Sequence, residues 1–348
     1  MYFGLLCIII LLVSLISIKK NNSRKDFSFD KICTNHLKGL AIIMVILSHL
    51  NGEYGHFQFM KYFGTIGVSM FLFSAGYGLT KSYQKNGLSN FFSKRIRIVL
   101  LPYSIVTILW LFVDSLLGAK YSFKLIVTAI IGFDLSRTID STMWYIAFII
   151  SWYVVFYFVF KFILNDKLKI VALFGASIIS VVICIFNIAG DGSAQWGTHA
   201  VIFPMGPFYA LYGEKIIQKY KFKIVITTMI ILSLGIIIIK NIPFNTVQFI
   251  LYDIFFMILI IFSIIILRYF NLKSLFLEKV GSYSYELYLF EGYLIKKIVN
   301  PNFFNNDMIT LFIYVMLVIF LSYILKRLMC KIQGREKKAT SGQSMPSI

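Results

Sequence analysis

Charge is what this sequence has least of. Asp, Glu, Lys and Arg make up 14% of its 348 residues, whereas a soluble domain needs about 25% to cover its surface for water. Most of the outer surface must therefore meet something other than water. Cysteine is also sparse. Cys7, Cys33, Cys184 and Cys330 are scattered without metal-ligand spacing, which leaves no metal cluster to propose and reads as packing. Long polar connections are missing too. The longest are about twenty residues and no internal repeat is visible, so there is no room for a separate soluble domain. Acidic residues are outnumbered, 15 against 34 basic ones, for a net charge of +19.

What fills the chain is apolar sequence, 59% of all residues. Runs such as Leu5–Ile18, Ile98–Leu117, Trp144–Leu164, Ile170–Ile188, Ile224–Ile239 and Ile250–Leu267 are near-continuous. About 20 such residues cross a bilayer core of ~30 Å. Barrel strands would alternate apolar and polar residues and these do not, so the runs are helices that satisfy their own backbone groups in lipid. The fold class expected is all-α, a polytopic membrane helix bundle. Spans fall near 2–18, 38–57, 60–80, 98–118, 143–163, 168–188, 199–217, 222–240, 246–267, 283–298 and 308–328. The segment 122–133 is too short to cross and is expected to lie at the interface or to re-enter.

The basic charge then explains itself. With these spans, 27 of the 34 Lys and Arg fall on one set of alternate connections and 7 on the other. That is the positive-inside bias, and it puts the N-terminus outside and the C-terminus in the cytoplasm of a plasma or inner membrane. Nucleic acid is not needed to account for it. Residues 1–20 read as a retained anchor, because the cluster Lys19, Lys20, Arg24 and Lys25 follows the apolar run and no small-residue cleavage site does. The polar tail 331–348 reads as disordered.

An ionisable side chain within a span is costly and marks a candidate site. In CTNHLKGLAIIMVILSHLNGE, Lys38 and His49 are eleven residues apart, close to three helical turns, so they share a face with ~16 Å of rise between them. Glu53, four residues on, shares that face and is the carboxylate expected to orient the imidazole, with His49 as the catalytic group. Lys38 has the plainer reading of an interface anchor. In the next span, GTIGVSMFLFSAGYGL, Ser74, Gly76 and Tyr77 are expected either to pack helices closely or to line a substrate path beside His49. Lys94, Arg95 and Arg97 form a basic loop suited to phosphates. Trp144 opens a span where an indole belongs at the interface. Asp114, Asp253, Glu286 and Glu291 are further intramembrane acids and weaker candidates.

Together these segments resemble acyltransferase family 3, whose first core span carries a basic residue, ten residues, then His. LKGLAIIMVILSHL has that spacing; GVSMFLFSAGYGL, SKRIRIVLLPY, MWYIAFIISWYVVF and GSYSYELYLFEGYL are similar to later family segments in the same order. The resemblance spans about 34–330, as ten core helices after one extra. It implies transfer of an acyl group, most often acetyl, from cytoplasmic acyl-CoA to a hydroxyl of a surface glycan or lipid-linked sugar, without a metal. With it, His49 is read as the catalytic group, either a general base or a transient carrier of the acyl group, with Glu53 as its orienting carboxylate from the helical spacing; Lys38, Lys94, Arg95 and Arg97 are read as acyl-CoA-binding, and Ser74, Gly76, Tyr77 and Trp144 as substrate-lining. The chain departs from the family at Asn35, at Ala75, and at Glu291, where a His is usual. Membrane lipid is the remaining partner. A transporter or flippase of lipid-linked glycan is the alternative, though the repeated halves common in transporters are absent.

Overall fold

A computed structural model of the chain describes residues 2–20, 31–55, 57–134, 138–186, 194–216 and 272–334, with Phe29 and a few positions between 217 and 271. The chain opens with α1 (Tyr2–Ile16) and a short strand β1 (Ile18–Lys20). Then come α2 (Lys31–Tyr54), α3 (Lys61–Asn86), α4 (Phe91–Arg95), α5 (Leu101–Leu116) and α6 (Phe123–Ile130). They are followed by α7 (Trp144–Phe162), α8 (Asp166–Ile185), α9 (Ala194–His199) and α10 (Ile202–Phe208). After β2 (Leu272–Ser274) come α11 (Leu275–Ser282), α12 (Ser284–Leu294) and α13 (Asp307–Ile332).

Six segments among the described residues are long and apolar enough to cross a membrane: 31–54, 62–86, 91–116, 141–162, 166–184 and 307–332. The protein is a multi-pass membrane helix bundle. The expected span 2–18 is a shorter apolar helix, and those at 199–217 and 283–298 are helices continued by π-turns at Tyr209–Gly213 and Ile295–Val299. The spans expected at 222–240 and 246–267 lie outside the described residues or nearly so, as does Asp253. Apolar side chains point outward along the bundle, among them Leu11 on α1, Phe158 on α7, Ile178 on α8 and Phe312 and Phe320 on α13. That is the surface lipid favours and water does not.

Helix ends obey local chemistry. Asn165 caps α8 by accepting from the Lys167 and Leu168 amides, and Asn306 caps α13 likewise. Pro102 lacks the N–H that would continue the ladder through α4 into α5, and the chain widens into a π-turn over Ile96–Leu100 just before it. Helix α6 has eight residues, too few to cross. It folds back along α5, where the Tyr103 and Ser104 hydroxyls donate to the Ala129 and Ile130 carbonyls.

One end of the bundle gathers the basic residues and the strands. There β1 pairs antiparallel with β2, and His36 of α2 bonds the Ser274 backbone. Helix α2 lies against α11 with backbone in contact: a Cβ on Gly39 would overlap the Leu277 carbonyl, and one on Gly281 the Asn35 carbonyl. These contacts fix α2 against the α11–α12 unit, which matters because each carries one half of the site. The core is built in two clusters, an aromatic one around α3, α7 and α10 and another around α5, α12 and α13, with α2 contributing to both.

Candidate functional site

His49 lies near the end of α2 remote from the basic residues, five residues before the helix stops, so it is displaced from the middle of the span. Its Nδ1 is 2.8 Å from Glu291 Oε1 and 3.0 Å from Oε2. In the neutral tautomer whose Nδ1–H donates to this carboxylate, Nε2 is left with its lone pair. Glu291 is fully buried, whereas the imidazole is 32% exposed. A buried carboxylate thus fixes the tautomer and orientation of a ring whose other edge is open, the arrangement of a general base.

The carboxylate that orients His49 is therefore Glu291, on α12, and not Glu53. Glu53 shares the helix with His49 but its side chain is exposed beyond the last buried turn. Spacing along one helix put Glu53 about one turn from His49; it could not say that another helix brings an acid against the imidazole. Glu291 stands where the family more often has His, so the departure places an acid opposite the histidine.

Behind the pair lies a second acid that sequence reading missed. Asp140 precedes α7 and caps a short turn: its Oδ1 accepts from the Thr142 amide at 2.8 Å and the Thr142 hydroxyl at 2.7 Å. The turn is clamped to α12, since the Tyr288 hydroxyl donates to the Thr142 carbonyl at 2.5 Å and Gly292 leaves room where a Cβ would meet Thr142 and Asp140. Burial pushes the Asp140 carboxyl up to about 6, against the pull of its bonds to Thr142. An Asp-x-Thr turn just before a span was the available signal.

The other expected residues divide into two groups. At the basic end, Lys38 sits half-buried in the field of Lys326, Lys31 and Glu286. Lys326 donates to Glu286 Oε1 at 3.0 Å and to the Ser282 carbonyl at 2.7 Å. Arg95 stacks its guanidinium 5.8 Å from both the Phe91 and Tyr153 rings, Lys94 is half-buried beside it, and Arg97 is exposed. The expected lining residues do not meet His49. The Tyr77 hydroxyl lies 2.7 Å from both Glu214 Oε1 and the Phe29 carbonyl, and Glu214 also pairs with Lys81 at 2.9 Å. Gly76 is filled by α10, with Phe203 and Pro207 where a side chain would go, so this glycine serves helix packing. Ser74 is buried with its hydroxyl unpartnered among the described residues. Trp144 stacks on His199, which bonds Ser69 at 3.3 Å.

Asp114 anchors a third cluster, beyond the site. It accepts from Lys297 at 2.6 Å, from Tyr121 at 2.6 Å and from Tyr293 at 2.7 Å, which ties the connection before α6 to the end of α12. No group of His, Cys, Asp and Glu among the described residues could hold a metal ion.

Compared with known proteins, residues 32–327 match the family model described as an acyltransferase domain, that of acyltransferase family 3. No curated protein and no solved structure matches the chain.

Proposed function

Because the chain belongs to acyltransferase family 3 and is a membrane acyltransferase, we propose that it moves an acetyl group from cytoplasmic acetyl-CoA to a hydroxyl of a glycan or lipid-linked sugar on the far side of the membrane. The observation that carries this reading is the His49–Glu291 pair, an imidazole oriented by a fully buried carboxylate and open at its other edge. In the step envisaged, His49 Nε2 takes the proton of the acceptor hydroxyl as its oxygen attacks the thioester carbonyl. The carbon–sulfur bond then breaks, and the CoA thiolate leaves with the proton that His49 returns. Glu291 stabilises the imidazolium between these events. A base so placed contributes about 10²–10⁴-fold.

Lys38, Lys94, Arg95 and Arg97 hold the CoA phosphates at the basic end, ~16 Å along α2 from His49. Phosphates bind where cations gather, and the pantetheine arm spans the remaining distance with the thioester at its tip. Ser74 is buried with its hydroxyl unpartnered among the described residues, and Tyr77 is committed to Glu214 and Phe29.

The test supplies acetyl-labelled acetyl-CoA to inverted membrane vesicles that contain the native glycan. Wild type should label the glycan and His49→Ala should not, at matched expression. Labelling by His49→Ala would overturn the reading. Movement of lipid-linked glycan with the label left on CoA would favour the flippase instead.

A further inference from the structure

The acyl-transfer step uses one of two buried carboxyls at this end of the bundle. Asp140 is 5% exposed, and its Oδ2 has no partner among the described residues, while Oδ1 is engaged by Thr142. Its position is set closely: Tyr288 holds the Thr142 carbonyl, and a Cβ at Gly292, the neighbour of Glu291, would come within 2.9 Å of Oδ1. A carboxyl this buried, with one oxygen unpaired, is costly to keep charged. A fold that only needed to cap a turn could do so with Asn or Ser.

The groups that face Asp140 come from every neighbouring element. They are His49 on α2, Tyr103 on α5, Tyr288, Glu291 and Tyr293 on α12, and Tyr314 on α13. Lys296 donates to the backbone carbonyls of Thr138 and Ile139, at 3.2 and 3.4 Å. Of these, His49 and Glu291 are the ionisable groups other than tyrosines, and Lys296 is the nearby cation. Two carboxyls in one low-dielectric pocket resist joint ionisation. The His49 ring bonds Glu291, whereas Asp140 is bonded by Thr142 alone among the described residues.

Resting on the reading of His49 as the base, we infer that Asp140 is a positioning residue and the third ionisable member of the centre, charging and discharging beside a Glu291 that stays paired with His49. When Asp140 is ionised, its negative charge adds to that of Glu291 in stabilising the imidazolium formed as the acceptor proton is taken. When it is protonated, that help is withdrawn and Glu291 acts alone. No bond to substrate is required of Asp140, and no atom is transferred through it.

The sign of the pH effect follows. Asp140 is neutral below about 6 and ionised above it, so its contribution is present at pH 7.5 and absent near pH 5. Asp140→Asn keeps an oxygen for Thr142 and stays neutral at every pH. Acetyl transfer from labelled acetyl-CoA, measured in vesicles from pH 5 to 8, should be reduced about tenfold or more by Asp140→Asn at pH 7.5. The two rates should converge as the pH falls to 5. A loss equal at all pH values, or no loss at any, would overturn the inference, because a turn-building role does not titrate. Wild-type protein supplies a check that needs no variant: its infrared spectrum should show a buried carboxyl band that disappears as the pH rises through about 6, and absence of any titrating carboxyl band would equally overturn it. His49→Ala, run alongside, separates the two ideas. If it is inactive while Asp140→Asn loses activity uniformly, only the role of Asp140 falls; if it is active, the reading of the site falls with it.

Discussion

At the scale of single residues, the site pairs unequal partners. Glu291 is wholly buried and His49 is partly open, so the carboxylate is already desolvated before substrate arrives and the imidazole is the member a substrate can reach. Removing one side leaves the other without its partner, which costs stability where that partner is the buried carboxylate. Folded yield must therefore be measured alongside activity for every variant here. Lys38 offers a separable test, because its proposed work is binding. With Lys38→Gln the KM for acetyl-CoA should rise about tenfold or more while kcat changes less, as expected when an interaction shared by ground and transition states is lost. A fall in kcat at unchanged KM would place Lys38 in the chemistry and not in donor binding.

At the scale of helices, the geometry of the site depends on how closely α2 meets the α11–α12 unit. Gly39 and Gly281 allow the two backbones to touch. Gly281→Ala would drive a methyl group into the Asn35 carbonyl, an overpacking cost of about 1–3 kcal/mol at least. A Cβ added to Gly175 on α8 would meet nothing within 4 Å, and Gly175→Ala should be neutral or stabilising by up to about 1 kcal/mol. Thermal unfolding of the two purified variants in detergent checks this. Equal stability would mean that α2 and α11 are not in backbone contact.

Helix packing also marks the limit of what could be read from the chain. Apolar runs and the Lys38–His49 spacing are local patterns, and they made the helical class and the first core helix legible and marked the histidine as a candidate. The short α6 was legible from its length. Glu291 was visible as an intramembrane acid, but its role was not, since 242 residues separate it from His49 and only the docking of α12 on α2 brings them together. For the same reason Glu53, which is close in sequence, looked like the better partner. Tyr77 and Gly76 were legible as small and aromatic residues of a helix; which neighbour they face, α10 and Glu214, is again a matter of packing.

At the scale of the whole molecule, the bundle has two chemically distinct ends under a common apolar surface. Lys38, Lys326, Arg95 and Glu286 cluster at one end; His49, Glu291, Asp140 and Asp114 at the other. Such a division suits a reaction whose donor is held by its phosphates and whose acceptor arrives elsewhere. In the proposed reaction the bilayer is part of the mechanism, separating donor from acceptor.

The most direct measurement compares acetyl transfer from labelled acetyl-CoA by Glu291→Gln and Glu53→Gln in membranes, at equal folded protein. The His49–Glu291 pairing predicts that Glu291→Gln loses about a hundredfold or more, while Glu53→Gln stays within about twofold of wild type because its side chain is exposed. Full activity in Glu291→Gln, or loss confined to Glu53→Gln, would contradict it.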